Sequence, residues 1–278
     1  MVFEILTYSF MQRALLAGVI IGFLCPLMGI FIVLRRMSLI GDGLSHVALS
    51  GIAAGILLNI SPLGVTLAFS VIAALAMEKL RKSYEKYAEL SISIIMSFGI
   101  GLAVILISLA KSISFDLFGY LFGNITTVLP SDLWVILGLG ILVIISIGLL
   151  YKELFYMAFD EEAALLSGVP VKGINLFFIV LIAVTITLSM RIVGILLVSS
   201  LMVLPVAASL QIAHSFKHAA FLSIIFSQTA IILGIIISYY FELASGGTIV
   251  LLAVLILVSV LFFKHLKNSA TKKKNEQA

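Results

Sequence analysis

Uncharged apolar runs of about 20 residues, the length that crosses a bilayer as a helix, follow one another along nearly the whole chain, and polar residues gather between them. The runs are Ala14 to Leu34, Leu39 to Ile60, Leu63 to Met77, Leu90 to Ala110, Leu133 to Tyr151, Gly173 to Met190, Ile192 to Ala213, Ala219 to Phe241 and Leu243 to Phe263. Their length fits helices and not the alternating ten-residue strands of a barrel. The pattern predicts an all-α, polytopic membrane protein. Its span count is eight to nine, because the third run is short unless Glu78 is counted at its end and the second carries Asp42 and His46. Residues 1–265 read as a single transmembrane domain, and 266–278 as a basic cytoplasmic tail expected to be disordered.

Composition strengthens this reading. With 62% hydrophobic and 11% charged residues and a mean hydropathy of +1.28, the chain lies far outside the range of a soluble domain. Cys25 is the single cysteine, which excludes an intrachain disulfide and a thiolate metal cluster. The first apolar run is too long for a signal peptide and lacks a small-residue cleavage pattern, so it is expected to remain as a helix. The net charge of +4 does not mark a nucleic-acid surface, because the basic residues sit at span ends. If Lys79, Arg81, Lys82 and Lys86 are cytoplasmic, alternation also places Arg35, Arg36, Lys152, Lys172, Lys217, Lys264, Lys267, Lys272, Lys273 and Lys274 inside. Arg13, Lys111 and Arg191 are then left outside. That bias predicts an outside N-terminus and an inside C-terminus. Small residues four apart, Gly18 with Gly22 and Gly51 with Gly55, read as helix-packing faces, and no internal repeat is evident.

An ionisable group within a span costs about 2.5–3.5 kcal/mol on insertion scales and marks a functional site by default. Asp42 and His46 are such a pair. Four residues apart on a helix, they share a face, with Ser38 and Ser50 extending the polar stripe. One oxygen and one nitrogen ligand suit zinc or manganese, but two ligands are too few for a tetrahedral site. Facing helices of a symmetric dimer would supply four, and retained waters would serve as well. The plainer reading makes Asp42 a helix cap satisfied by His46.

A second constellation is Phe159 to Val171. Asp160 suits an N-cap, Glu161 and Glu162 complement the helix dipole, Gly168 suits the C′ position and Pro170 stops the helix. The prediction is a helix of about two turns in a cytoplasmic loop. Ala163, Leu165 and Leu166 would give it a face for docking into a groove of a soluble partner. The alternative is an ordinary interfacial turn. A third string, Ser114 to Asn124, places aromatics between Gly119 and Gly123, as an interfacial or re-entrant element would. A belt anchor is the plainer reading. His214 and His218, at a predicted cytoplasmic span end beside Lys217, read as solvated loop histidines in preference to an exit-side metal site.

No Walker A loop is present, and no His-Glu-x-x-His pair or intramembrane acidic chain, so nothing points to catalysis or ATP binding within this chain. The string RRMSLIGDGLSHVALSG at Arg35 to Gly51 resembles the signature of the ABC-type zinc/manganese permeases. DLFGYLFGNI at Asp116 to Ile125, FDEEAALLSGVPV at Phe159 to Val171 and RIVGILLVSSLMVLPVAAS at Arg191 to Ser209 follow in family order. One departure is Gly43, where alanine or threonine is expected.

The resemblance implies the permease subunit of a bacterial metal importer in the cytoplasmic membrane. A second copy, separate cytoplasmic ATPase subunits and an extracytoplasmic metal-binding protein would be its partners. It further implies that Asp42 and His46 coordinate the transported metal, and that Asp160, Glu161, Glu162, Ala163, Leu165, Leu166 and Gly168 couple to the ATPase. No cofactor is expected to stay bound. Zinc is the first expectation for the cargo and manganese the alternative. An ion-driven secondary carrier or channel is the reading from another class, and a metal-chelate permease a third.

Overall fold

The computed structural model describes residues 7–84, 87–109 and 115–276. Lys86, Lys111 and Ser114, together with Gln277 and Ala278 of the tail, lie outside them. In chain order the helices are α1 (Ser9–Leu34), α2 (Leu39–Leu57), α3 (Pro62–Ser83), α4 (Ala88–Leu109), α5 (Phe115–Phe122), α6 (Pro130–Leu149), α7 (Tyr151–Phe159), α8 (Glu161–Leu166), α9 (Val171–Ser189), α10 (Val198–Leu210), α11 (Phe216–Phe241) and α12 (Ser245–Glu276). Among the described residues there is no strand, as expected where lipid leaves no water to satisfy an open sheet edge.

Eight of these helices are long and apolar enough to cross a membrane. The run Ile192 to Ala213, expected as one of the continuous spans, is broken instead. Residues 190–197 form turns and only Val198–Leu210 is helical. At about 1.5 Å per residue that helix covers roughly 20 Å, short of a 30 Å hydrocarbon core. The segment still runs from one end of the molecule to the other alongside α12. Ser245 Oγ at the start of α12 donates to the Ile192 carbonyl at 2.7 Å, and Lys264 Nζ donates to Gln211 Oε1 at 3.1 Å. α3 also extends past its predicted end. Glu78 is buried within it because Arg81, one turn on, pairs with the carboxylate at 3.0 Å.

Contacts between helix ends sort the molecule into two faces. Tyr8 and Phe10 of the α1 start meet Tyr239 of the α11 end, Gly55 meets Pro62, and Asp132 pairs with Arg191. At the other face Phe216 gathers Phe31, Tyr151 and Phe155 into one aromatic cluster, with ring centroids 5.0–6.0 Å apart, the spacing of favourable offset and edge contacts. Arg35 reaches Glu161 there. Arg35, Arg36, Lys79, Arg81, Lys82, Lys152, Lys172, Lys217, Lys264 and Lys267 adjoin the second face, the basic end, while Arg13 and Arg191 belong to the first, the far end.

α1, α2 and α9 are mostly buried, whereas α4, α6 and α12 show most of their surface. The predicted glycine faces do pack closely. A Cβ on Gly51 or Gly55 would come within 2.7 and 2.8 Å of the α3 backbone at Thr66 and Pro62, and one on Gly18 or Gly22 within 2.9 Å of Ile231. In lipid, such close approach supplies the dispersion contacts that hold helices together.

Candidate metal path

α2 opens after the short turn Arg35 to Ser38, and Asp42 lies in its first turn, where the positive end of the helix dipole favours a carboxylate. Asp42 is not the cap. Ser38 holds that position, and it makes no side-chain cap bond. The carboxylate instead accepts a hydrogen bond from Ser199 Oγ on α10, 2.6 Å from Oδ1. Gly41 permits this approach, since a Cβ there would lie 3.2 Å from Ser199 Cβ.

One turn further, His46 Nδ1 is enclosed and has no hydrogen-bond partner. The plainer arrangement, in which the histidine satisfies a capping aspartate, is therefore not adopted. An enclosed polar atom without a partner costs about 1–3 kcal/mol, and although Ser45 Oγ and Thr66 Oγ1 are unpartnered too, the imidazole nitrogen is the one of these three that is a common metal ligand. The wider polar stripe does not assemble. Ser50 Oγ turns back onto the Val47 carbonyl of its own helix, 2.6 Å away. Among the described residues, no group of three or more His, Cys, Asp and Glu side chains gathers in a way that could hold a metal ion. One chain thus offers a carboxylate, an imidazole and a serine hydroxyl.

Ser199 was not foreseen, nor the break that precedes its helix. Irregular backbone at membrane depth must find partners within the protein, and α5 provides them. The amides of Ile195 and Leu196 donate to the Tyr120 and Leu121 carbonyls at 2.9 and 3.4 Å, and Asn124 N–H donates to the Arg191 carbonyl at 3.0 Å. The last carbonyls of a helix have no partner inside it, so the end of α5 and the break complete each other. Gly194 (φ +81°) and Gly123 (φ +78°) adopt left-handed backbone there, and a Cβ on either would strike a carbonyl at 2.4 or 2.2 Å. The aromatic string is thus more than a belt anchor, although Phe118 and Phe122 do remain exposed and stacked.

At the basic end, α8 is the predicted loop helix. Asp160 caps it, its side chain accepting from the Ala163 amide at 2.8 Å. Val169 N–H returns to the Ala164 carbonyl and Gly168 N–H to that of Leu165, both at 3.1 Å, with Gly168 at φ +86°. This paired C-terminal motif satisfies the free carbonyls. Ala164 is buried, whereas Leu165 and Leu166 are 56% and 89% exposed. A groove of about 440 Å³ opens beside them, lined by Glu78, Arg81, Glu161, Glu162, Leu165 and Lys172 among others.

Arg35 Nη2 donates to Glu161 Oε2 at 3.1 Å and to Asn175 Oδ1, while Asn175 Nδ2 donates to Glu161 Oε1 at 3.0 Å. The three side chains form a closed ring of hydrogen bonds. Burial lowers the Arg35 pKa from its ordinary value, and the Glu161 charge opposes that shift. His214 and His218 are exposed and stack on each other, with the His214 amide donating to His218 Nδ1 at 3.4 Å.

Comparison with known proteins matches residues 7–264 to the model of the ABC 3 transport family. The chain is 33% identical over 272 residues to the manganese transport system membrane protein of Listeria monocytogenes, covering 98% of this chain and 97% of that one. It is 31% identical over 256 residues to the high-affinity zinc uptake system membrane protein of Haemophilus influenzae, covering 92% and 98%. A solved structure of PsaBC from Streptococcus pneumoniae in complex with Fab superposes with a TM-score of 0.82 at 33% identity, covering 94% of this chain and 95% of that one.

Proposed function

The chain belongs to the ABC 3 transport family, and from that premise we propose that it carries zinc or manganese past Asp42 and His46 as the membrane permease of an ATP-driven importer. It is a multi-pass membrane subunit of a divalent-metal ABC importer, and its relatives bear names of both metals. The observation that carries the site assignment is the enclosed, partnerless His46 Nδ1 one turn from the Asp42 carboxylate. Nitrogen and oxygen donors together suit either ion. The Asp/His pair alone does not choose between them, and the Ser199 hydroxyl adds an oxygen of the kind manganese prefers.

One chain does not complete a coordination sphere, so a second copy is expected to bring its own aspartate and histidine to the same ion. Neutral imidazoles and two carboxylates would then balance the charge of a divalent cation. The basic end faces the cytoplasm in this reading, which leaves both termini as the charge pattern predicts. ATP is hydrolysed by separate subunits that seat against α8, whose bare Leu165 and Leu166 suit a groove on a soluble partner. A binding protein delivers the ion at the far end. Transport then consists of a shift between far-side-open and cytoplasm-open states, biased by how tightly the ATPases hold each state in their two nucleotide conditions.

Reconstitution tests this against a carrier that works alone. In liposomes, the permease with its ATPase subunits and binding protein should import zinc or manganese only with ATP, and the permease by itself should be silent. Metal flux down a gradient through the isolated permease would instead establish a secondary carrier or channel.

A further inference from the structure

The turn between α1 and α2 is short and tightly tied. Arg35 N–H donates to Phe31 O at 3.1 Å, Arg36 N–H to Val33 O at 3.1 Å, Met37 N–H to Ile32 O at 2.9 Å and Ile40 N–H to Met37 O at 3.0 Å. Arg36 adopts φ +56°, a left-handed conformation that costs a non-glycine residue roughly 1–2 kcal/mol. Such a turn has little slack, so a pull on Arg35 reaches the first turn of α2, where Asp42 sits.

The other end of Arg35 lies on α8. Its side chain is 3% exposed, while that of Glu161 is 45% exposed. A buried guanidinium cannot exchange its partner for water, and leaving it unpaired is costly. The neighbouring acid Glu78 is already held by Arg81 through two hydrogen bonds, at 3.0 and 3.3 Å. When Glu161 moves, Arg35 is therefore constrained to follow, with Asn175 of α9 as the fixed point of the ring.

We propose that Arg35 is the positioning residue that transmits displacement of α8 to the helix bearing Asp42 and His46. The inference rests on α8 being the segment on which the ATPases seat. Arg35 touches no cargo in this scheme. It sets how the motion of one short helix is converted into a change around Asp42, seven residues along the chain.

The test is the number of metal ions imported per ATP hydrolysed by the reconstituted complex of permease, ATPase subunits and binding protein. Arg35→Met should assemble and hydrolyse ATP, yet import at least tenfold fewer ions per ATP. Arg35→Lys, which keeps a charge able to reach Glu161, should recover more than half of the ratio. A role confined to stability would lower yield, hydrolysis and import together and leave the ratio unchanged, and that result overturns the proposal. Should Arg35→Met fail to fold, Arg35→Lys and Glu161→Gln carry the decision. A ratio lowered in either, with the complex intact, supports transmission, and a wild-type ratio in both overturns it. Failure of the docking premise is separately visible, because Leu165→Asp would then leave co-purification with the ATPase unchanged.

Discussion

Gly123, Gly194 and Gly246 at the far end and Arg35, Glu161 and Asn175 at the basic end each join three chain segments, by opposite means. At the far end backbone meets backbone. A Cβ on Gly246 would lie 1.7 Å from the Val193 carbonyl, and the amides of the broken passage bond directly to the end of α5. At the basic end the contacts run through long side chains, and one partner, Glu161, is half open to its surroundings. The difference follows from what each end must do. Irregular backbone within the membrane needs a fixed internal partner for each polar group. A face that receives another protein needs groups that can shift, and it leaves Leu165 and Leu166 uncovered.

Breaking the backbone clasp should have the largest effect on stability. Gly246→Ala drives a methyl into a carbonyl with no flexible side chain to yield, and is expected to cost more than about 4 kcal/mol, the range reserved for severe core faults. Thermal melting in detergent and the yield of monodisperse protein report it. Wild-type melting would show that the clasp is not rigid.

Asp132→Ala comes next. It takes from the Arg191 guanidinium the carboxylate that lies 2.8 Å away, both side chains being at most 12% exposed, and leaves its contact with the Tyr120 ring. Removing one partner of such a pair costs about 3 kcal/mol, measurable in the same melt. A change below 0.5 kcal/mol, on the order of an ordinary surface substitution, would mean that backbone alone holds the far end.

At the basic end, Glu162→Lys and Leu165→Asp should leave melting unchanged within about 0.5 kcal/mol while lowering co-purification with the ATPase at least fivefold. Unaltered co-purification would remove α8 from the docking surface. The smallest effect is expected at Gly43→Ala. The new methyl would meet Met77 Cε, the end of a flexible side chain, and Ile92 Cγ2, a branch methyl of a stiffer one, both at 3.0 Å, and alanine returns up to about 1 kcal/mol of helix propensity. A net change beyond about 1 kcal/mol in either direction, read by melting, would show that the clash and the propensity gain at Gly43 do not offset each other.

Features that are local in sequence were legible before the structure. Asp160, Gly168 and Pro170 delimit α8 because caps act over four or five residues, and the spacing of Asp42 and His46 places them on one helix face for the same reason. What escaped depends on residues far apart in the chain. Ser199 meets Asp42 across 157 positions, and no periodicity encodes such a contact. The run Ile192 to Ala213 is apolar throughout and reads as a span. Its break depends on Gly194 and on carbonyls some seventy residues earlier, in α5. The expectation of one continuous helix there failed for that reason, while the helical class and the count of eight to nine spans did not depend on it.

In the proposed transport, Asp42 and His46 hold the cargo as it crosses. Uptake of radioactive zinc and manganese, each competed by the other, should be measured in cells lacking their own permease and supplied with wild type, Asp42→Ala or His46→Ala. Import by wild type and loss of at least 95% in both variants, with the ATPase still co-purifying, is the predicted result. Normal uptake in both variants would contradict it.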